Sequence, residues 1–176
     1  MKHENHFKVL LQNTVNLSTY SLEQLDSRTA AIYAALKADP ALGPYVAEMI
    51  PQGSWAQKTI IKPVQGREFD ADFLLRLQEN PDWSQSPKGY IDQTHYALDR
   101  HSTYGAMPHY RKCRCVRVVY ANFCHVDIVP YLLLEEGRQV IVNRDEDKWE
   151  ATNPGLFCCF RGWGSAALVG DIPSGS

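Results

Sequence analysis

The chain has 176 residues, 44% hydrophobic and 22% charged, with a formal net charge of −2. That length suits one domain, or one domain with an appendage, and the even charge balance excludes a general nucleic-acid footprint. No apolar run is long enough to span a membrane, and MKHENHFK is too polar for a signal peptide; with five cysteines, an odd number, reduced thiols in a cytoplasmic protein are expected.

Residues 4–16 fit a helix with Phe7, Leu10, Leu11 and Val15 on one side. A clearer helix follows. Ser21 and Gln24 make a capping box, and Leu22, Leu25, Thr29, Ile32 and Leu36 form one stripe. Asp39-Pro40 ends it, because the residue before proline is pushed out of helical angles. Leu42 to Ile50 reads as a short amphipathic segment running into a Gly53-Ser54 turn, and Trp55 to Ile61 as a short helix with Lys58 and Lys62 nearby. Asp70 to Leu77 is the first firm strand, Asn80 to Gly89 a loop, and Tyr90 to His101 a helix. Tyr110 to Tyr120 begins basic and ends β-branched, as a strand. Cys124 to Leu134 is another strand, turned at Glu135-Glu136-Gly137 into a hairpin partner, Arg138 to Asn143. The order predicts an α+β domain, with N-terminal helices packed on a mixed or antiparallel sheet.

Three acids stand out against this background. Asp70 and Asp72 open an otherwise apolar strand and share one of its faces, since side chains alternate. Asp127 lies between Val126 and Ile128, in a run too apolar for a solvated edge. A buried unpaired carboxylate is costly, so a partner or a metal is expected there. A strand beside the first that carried Asp127 onto the same face would gather three carboxylates, a donor set suited to Mg²⁺ or Mn²⁺. The Gly53-Ser54 turn offers backbone N–H groups to phosphate oxygens.

Other residues have weaker claims. His125 shares the face of Asp127 and so could touch substrate, while a core histidine bonded to backbone is the expectation for it. The basic group His109, Arg111, Lys112, Arg114 and Arg117 suits either a grip on a triphosphate or a solvated strand edge that blocks aggregation. Cys113, Cys115, Cys124, His125, Cys158 and Cys159 offer soft ligands, but their spacing matches no standard zinc module. Trp55, Trp83 and Trp149 are expected in packing rather than as base-stacking platforms.

The segments QGSWAQKTIIKP, EFDADFLL, CHVDIVP and WEATNP, in that order over most of residues 20–154, resemble the cGAS/DncV-like nucleotidyltransferases. These are the cyclic oligonucleotide synthases of bacterial anti-phage (CBASS) defence, within the polymerase-β-like superfamily. The resemblance implies a catalytic core over 1–154 that joins NTPs into a cyclic di- or trinucleotide with release of pyrophosphate. It implies that Asp70, Asp72 and Asp127 hold two Mg²⁺ (or Mn²⁺) ions, and that Gly53, Ser54 and Lys58 contact the nucleotide. NTPs, and a regulatory protein, are the partners it implies.

Members of the family continue into a helical domain at the point where this sequence turns atypical, from residue 155 to 176. Codons for Gly155 to Gly164 can be chosen that read one base later as Gly-Tyr-Ser-Ala-Ala-Phe-Glu-Ala-Gly, which suggests a frameshift near Pro154. Other outcomes stay open: a polymerase-β-like enzyme acting on RNA ends or on a protein partner, or a truncated copy that only binds nucleotide. A metal-dependent phosphohydrolase would need more histidine ligands.

Overall fold

The computed structural model describes residues 17–56, 68–134 and 137–152. The expected helix at 4–16, Lys58 and the tail from 155 lie outside the described residues.

Helix α1 (Thr19–Ala38) begins one turn earlier than the Ser21 capping box suggests. Its N-cap is Ser18, whose hydroxyl accepts from the Ser21 amide at 3.1 Å. Leu25, Ile32, Ala35 and Leu36 form its buried stripe. The helix stops at Asp39. That carboxylate accepts the amides of Ala41 and Leu42 and takes both Arg100 Nε and Nη2 at 2.8 Å, which locks the ends of two helices together.

After a 3₁₀ turn at Gly43–Tyr45, the chain forms β1 (Val46–Gln52). The sequence had suggested an amphipathic segment here, and the strand is possible despite Pro51 because β1 lies at the sheet edge. A single helical turn, α2 (Gly53–Ala56), follows directly. Strand β2 (Phe69–Leu77) then alternates, with Phe69, Ala71, Phe73, Leu75 and Leu77 turned to the core. The supposed loop at 80–89 contains a one-turn helix, α3 (Pro81–Ser84), capped by the Asn80 side chain. Helix α4 (Lys88–Arg100) buries Tyr90, Ile91, Thr94, Ala97 and Leu98.

The single strand expected over 110–120 is two strands, β3 (His109–Arg111) and β4 (Val116–Tyr120), paired antiparallel. Three more complete the sheet: β5 (Cys124–Leu133), β6 (Gln139–Asn143) and β7 (Lys148–Ala151).

Among the described residues the sheet has seven strands in the order β1-β2-β5-β4-β3, with β6 pairing the C-terminal part of β5 and then β7. Only β2 and β5 run parallel; the other pairs are antiparallel, so the sheet is mixed. Helices α1 and α4 cover one face. There Leu25, Ile32 and Leu36 meet Tyr90, Ile91 and Leu98 above Phe73, Leu75, Val126, Ile128 and Leu132. Each large side chain buried there contributes about 1.5–3 kcal/mol relative to exposure. Trp83 and Trp149 pack on Tyr90, and Trp55 lies against the same core, as expected of packing tryptophans. The opposite face carries the acids and, further along the strands, a small apolar cluster of Leu74, Val129, Tyr131 and Ile141.

Candidate active site

The parallel pairing of β2 with β5 sets Asp72 directly opposite Asp127 and Asp70 opposite His125. Neighbouring strands lie about 4.8 Å apart and residues i and i+2 share a face, so three carboxylates converge on the side away from the helices. They differ in exposure: the Asp70 side chain is 58% exposed, that of Asp127 13%. Burial, with the negative charges of Asp127 and Asp70 beside it, raises the Asp72 carboxyl from 3.8 to about 6.

Among the described residues an arginine is the main answer to these charges. Arg117 stands opposite Asp127 on β4 and grips it with both arms, Nε to Oδ1 at 2.7 Å and Nη2 to Oδ2 at 2.6 Å. The same Nη2 lies 3.3 Å from Asp70 Oδ1. The hydrogen bonds to Asp127 hold the guanidinium protonated more firmly than usual. Among the described residues three carboxylates face one guanidinium, with the His125 ring beside Asp70, which leaves a local excess of negative charge. The partner that a carboxylate in so apolar a run requires is therefore an arginine on the next strand.

Gly53 closes the site from the β1 side. Gln52 pairs with Asp72 across the sheet, and at Gly53 the backbone turns with φ +58°. A Cβ at Gly53 would lie 3.3 Å from Asp72 Oδ2, so glycine is required both for the backbone angle and for the close approach. Ser54 follows within α2. The Gln52 side-chain oxygen is buried with no hydrogen-bond partner among the described residues.

Several sequence expectations are corrected here. His125 is not a core histidine bonded to backbone: its Nε2 meets Glu68 Oε2 at 2.7 Å and its Nδ1 lies 3.4 Å from Asp70 Oδ1. The basic group is neither one phosphate grip nor a bare solvated edge. Arg117 pairs with Asp127, Arg111 with Asp92, Arg114 with Glu150 and His109 with Asp99. Among the described residues, Cys113, Cys115 and Cys124 do not form a common ligand set; Cys158 and Cys159 lie outside the described residues. Cys124 is buried in the core beneath the helices, Cys115 packs on the opposite apolar cluster, and the Cys113 thiol donates to Asn143 Oδ1. Cys113, Cys115 and Cys124 are free thiols.

The donor set fits divalent cations of the Mg²⁺ type. It offers carboxylate oxygens alone, carries excess negative charge, and has an unsatisfied amide oxygen on the neighbouring strand. Among the described residues no helix is long and apolar enough to cross a membrane.

Comparison with known proteins places this geometry. Residues 1–158 match the model of the Second Messenger Oligonucleotide or Dinucleotide Synthetase domain. A c-di-GMP synthase of Roseivirga ehrenbergii is 33% identical over 111 residues, which is 61% of this chain and 28% of that protein. The CD-NTase CdnG of Bradyrhizobium diazoefficiens, solved with GTP, superposes with a TM-score of 0.68 at 21% identity, over 83% of this chain and 42% of CdnG. The cyclic AMP-GMP synthase DncV of Vibrio cholerae, solved with a linear intermediate, gives 0.62 at 14% identity, over 83% of this chain and 56% of DncV. The chain thus spans about a quarter to a half of the length of these relatives. The mixed sheet with helices on one face is the fold of these polymerase-β-like enzymes, and the chain belongs to the second messenger oligonucleotide or dinucleotide synthetase family of nucleotidyltransferases.

Proposed function

We propose that this chain carries the nucleotidyl-transfer site of a cyclic oligonucleotide synthase, with Asp70, Asp72 and Asp127 as the metal-binding and catalytic carboxylates. The observation that carries the reading is the register of β2 and β5, which puts Asp72 beside Asp127 with Asp70 on the same face. Two Mg²⁺ or Mn²⁺ ions held by these carboxylates would supply neutralising charge for the triphosphate and acidify the attacking ribose hydroxyl.

The chain's own groups have separable tasks in that reading. Arg117 fixes both oxygens of Asp127, so this carboxylate presents one orientation to the site. Asp70, the exposed member, stands at the mouth where a nucleotide enters. Gly53, lacking a side chain, lets backbone and phosphate approach Asp72, and the amides of Gly53 and Ser54 face the phosphate tail. Lys58 is assigned to the nucleotide on the family pattern alone. The ribose oxygen of one nucleotide bonds to the α-phosphorus of the next, the bond to the β-phosphate breaks, and pyrophosphate leaves while the hydroxyl proton passes to solvent.

The same step, made between the two ends of a linear di- or trinucleotide, closes the ring. Cyclic di- or trinucleotide signalling in anti-phage defence, in the cytoplasm and under control of a regulatory protein, belongs to the same proposal. The experiment is incubation of the purified chain with four labelled NTPs and Mg²⁺ or Mn²⁺, followed by phosphatase, beside Asp70→Asn/Asp72→Asn. A phosphatase-resistant product absent from the variant supports the reading. Metal-dependent NTP binding without product would instead make this chain a nucleotide binder, and a labelled RNA or protein acceptor would make it an end-modifying transferase.

A further inference from the structure

On the helix side of the sheet, away from the aspartates, a second cluster has the form of a metal site. His95 and Asp99 are one turn apart on α4, and His109 begins β3, the edge strand beside β4. His109 pairs with Val118, a core-facing residue, so its ring points under the helix, where its side chain is 6% exposed. His95 Nδ1 lies 2.9 Å from Asp99 Oδ2, and His109 Nε2 lies 2.9 Å from Asp99 Oδ1. The two rings are 4.6 Å apart, and one ligand atom from each of the three residues falls within 4.8 Å of the others.

Proton accounting makes this cluster unusual. His109 Nδ1 lies 2.9 Å from the Met107 carbonyl oxygen, which can only accept. Its proton is therefore on Nδ1, and in a neutral ring the Nε2 lone pair faces a carboxylate oxygen at 2.9 Å. Either a proton on Nε2, giving an imidazolium–carboxylate pair, or a metal ion resolves that contact. His95 Nδ1 is buried and, despite its closeness to Asp99, makes no well-aligned hydrogen bond. A histidine anchored by one nitrogen to a backbone carbonyl, with the other turned to the ion, is the usual setting of a metal ligand, and His109 has that anchor.

We propose that His95, Asp99 and His109 bind one Zn²⁺ ion that clamps the C-terminal turn of α4 to the edge strand β3. Two imidazole nitrogens and one carboxylate oxygen, with a fourth position left for water, suit Zn²⁺ and are poor ligands for Mg²⁺. Ligand atoms around a tetrahedral Zn²⁺ lie about 3.3–3.5 Å apart, so the two 2.9 Å contacts open by a few tenths of an ångström, while pairs standing wider apart within the 4.8 Å span of the cluster draw in around the ion. The ion would be structural and independent of the nucleotidyl-transfer reading, since it sits on the opposite face of the sheet.

The test titrates the purified chain with Zn²⁺ alone and with Co²⁺ as a spectroscopic stand-in. One equivalent is expected to give the intense visible band of four-coordinate Co²⁺, displaced by Zn²⁺. Zn²⁺ at about 100 times its Kd should raise Tm by several degrees. His95→Gln and His109→Gln should each lose the band and the shift, while Asp70→Asn/Asp72→Asn keeps both. Circular dichroism confirms folding of each variant; His95→Gln removes no well-aligned hydrogen bond from His95 Nδ1 and so carries the test if His109→Gln unfolds. A wild type without the band, or a band that survives His95→Gln, overturns the proposal and leaves an imidazolium–carboxylate pair.

Discussion

Removing Arg117 should be costly without metal and largely repaired by it. Asp127 is mostly buried and receives both of its short hydrogen bonds from Arg117, with Asp72 beside it in the sheet and Asp70 on the same guanidinium. In Arg117→Met the stem is kept and the charge is lost, leaving Asp127 without its ion pair and Asp70 with the His125 contact alone among the described residues. Breaking a buried ion pair costs roughly 3–5 kcal/mol; with the Arg117 side chain 27% exposed, we expect about 2–3 kcal/mol. For a chain of this size each kcal/mol shifts Tm by about 2–4 °C, so a fall of roughly 5–10 °C is expected in EDTA. Mg²⁺ replaces the missing charge, so its stabilising shift should be larger in the variant than in the wild type. The assay is thermal unfolding of both proteins across an Mg²⁺ series. A variant within about 1 °C of wild type in EDTA, or one with an unchanged Mg²⁺ response, would refute the view that Arg117 and the cations answer the same charge.

Two further predictions concern carboxylates with opposite linkage. Asp39→Ala should cost about 2–4 kcal/mol in chemical denaturation, because it orphans two amides and unpairs Arg100, while Asp39→Asn should cost less. The Arg100 hydrogen bond lowers the Asp39 carboxyl, so its contribution is full above the ordinary carboxylate range and disappears as pH falls below about 4; Asp39→Asn should flatten that acid limb. Asp72 runs the other way: with its folded value raised to about 6, the metal-free protein gains stability as pH falls from about 6 toward 4 and loses it as pH rises again. Mg²⁺ must displace that proton, so calorimetric Mg²⁺ affinity should drop by up to tenfold per pH unit below about 6; an affinity unchanged between pH 7 and pH 5 would contradict this.

The acids were legible because they break a local rule: a carboxylate within an apolar strand demands a reason, and strand alternation alone puts Asp70 and Asp72 on one face. That Asp127 would join them required only the guess that its strand lies beside theirs. The identity of its counter-charge was not legible. Arg117 stood among five basic residues, and only the antiparallel register of β4 on β5 selects it. Strand β1 was hidden by Pro51, which an edge strand tolerates, and the break between β3 and β4 by a turn without glycine or proline. His125 was misread because its partners, Glu68 and Asp70, come from another strand and its approach. The His95–Asp99–His109 cluster joins a helix to an edge strand, and its spacing in sequence matches no recognised motif.

The central claim, that Asp70, Asp72 and Asp127 form a divalent-cation site serving a nucleotide, is tested most directly by counting bound Mn²⁺. Electron paramagnetic resonance of free Mn²⁺, with a non-hydrolysable NTP present, would compare the wild type with Asp70→Asn/Asp72→Asn. The account predicts two nucleotide-dependent ions in the wild type that are lost in the variant. Equal Mn²⁺ binding by the two proteins would contradict it.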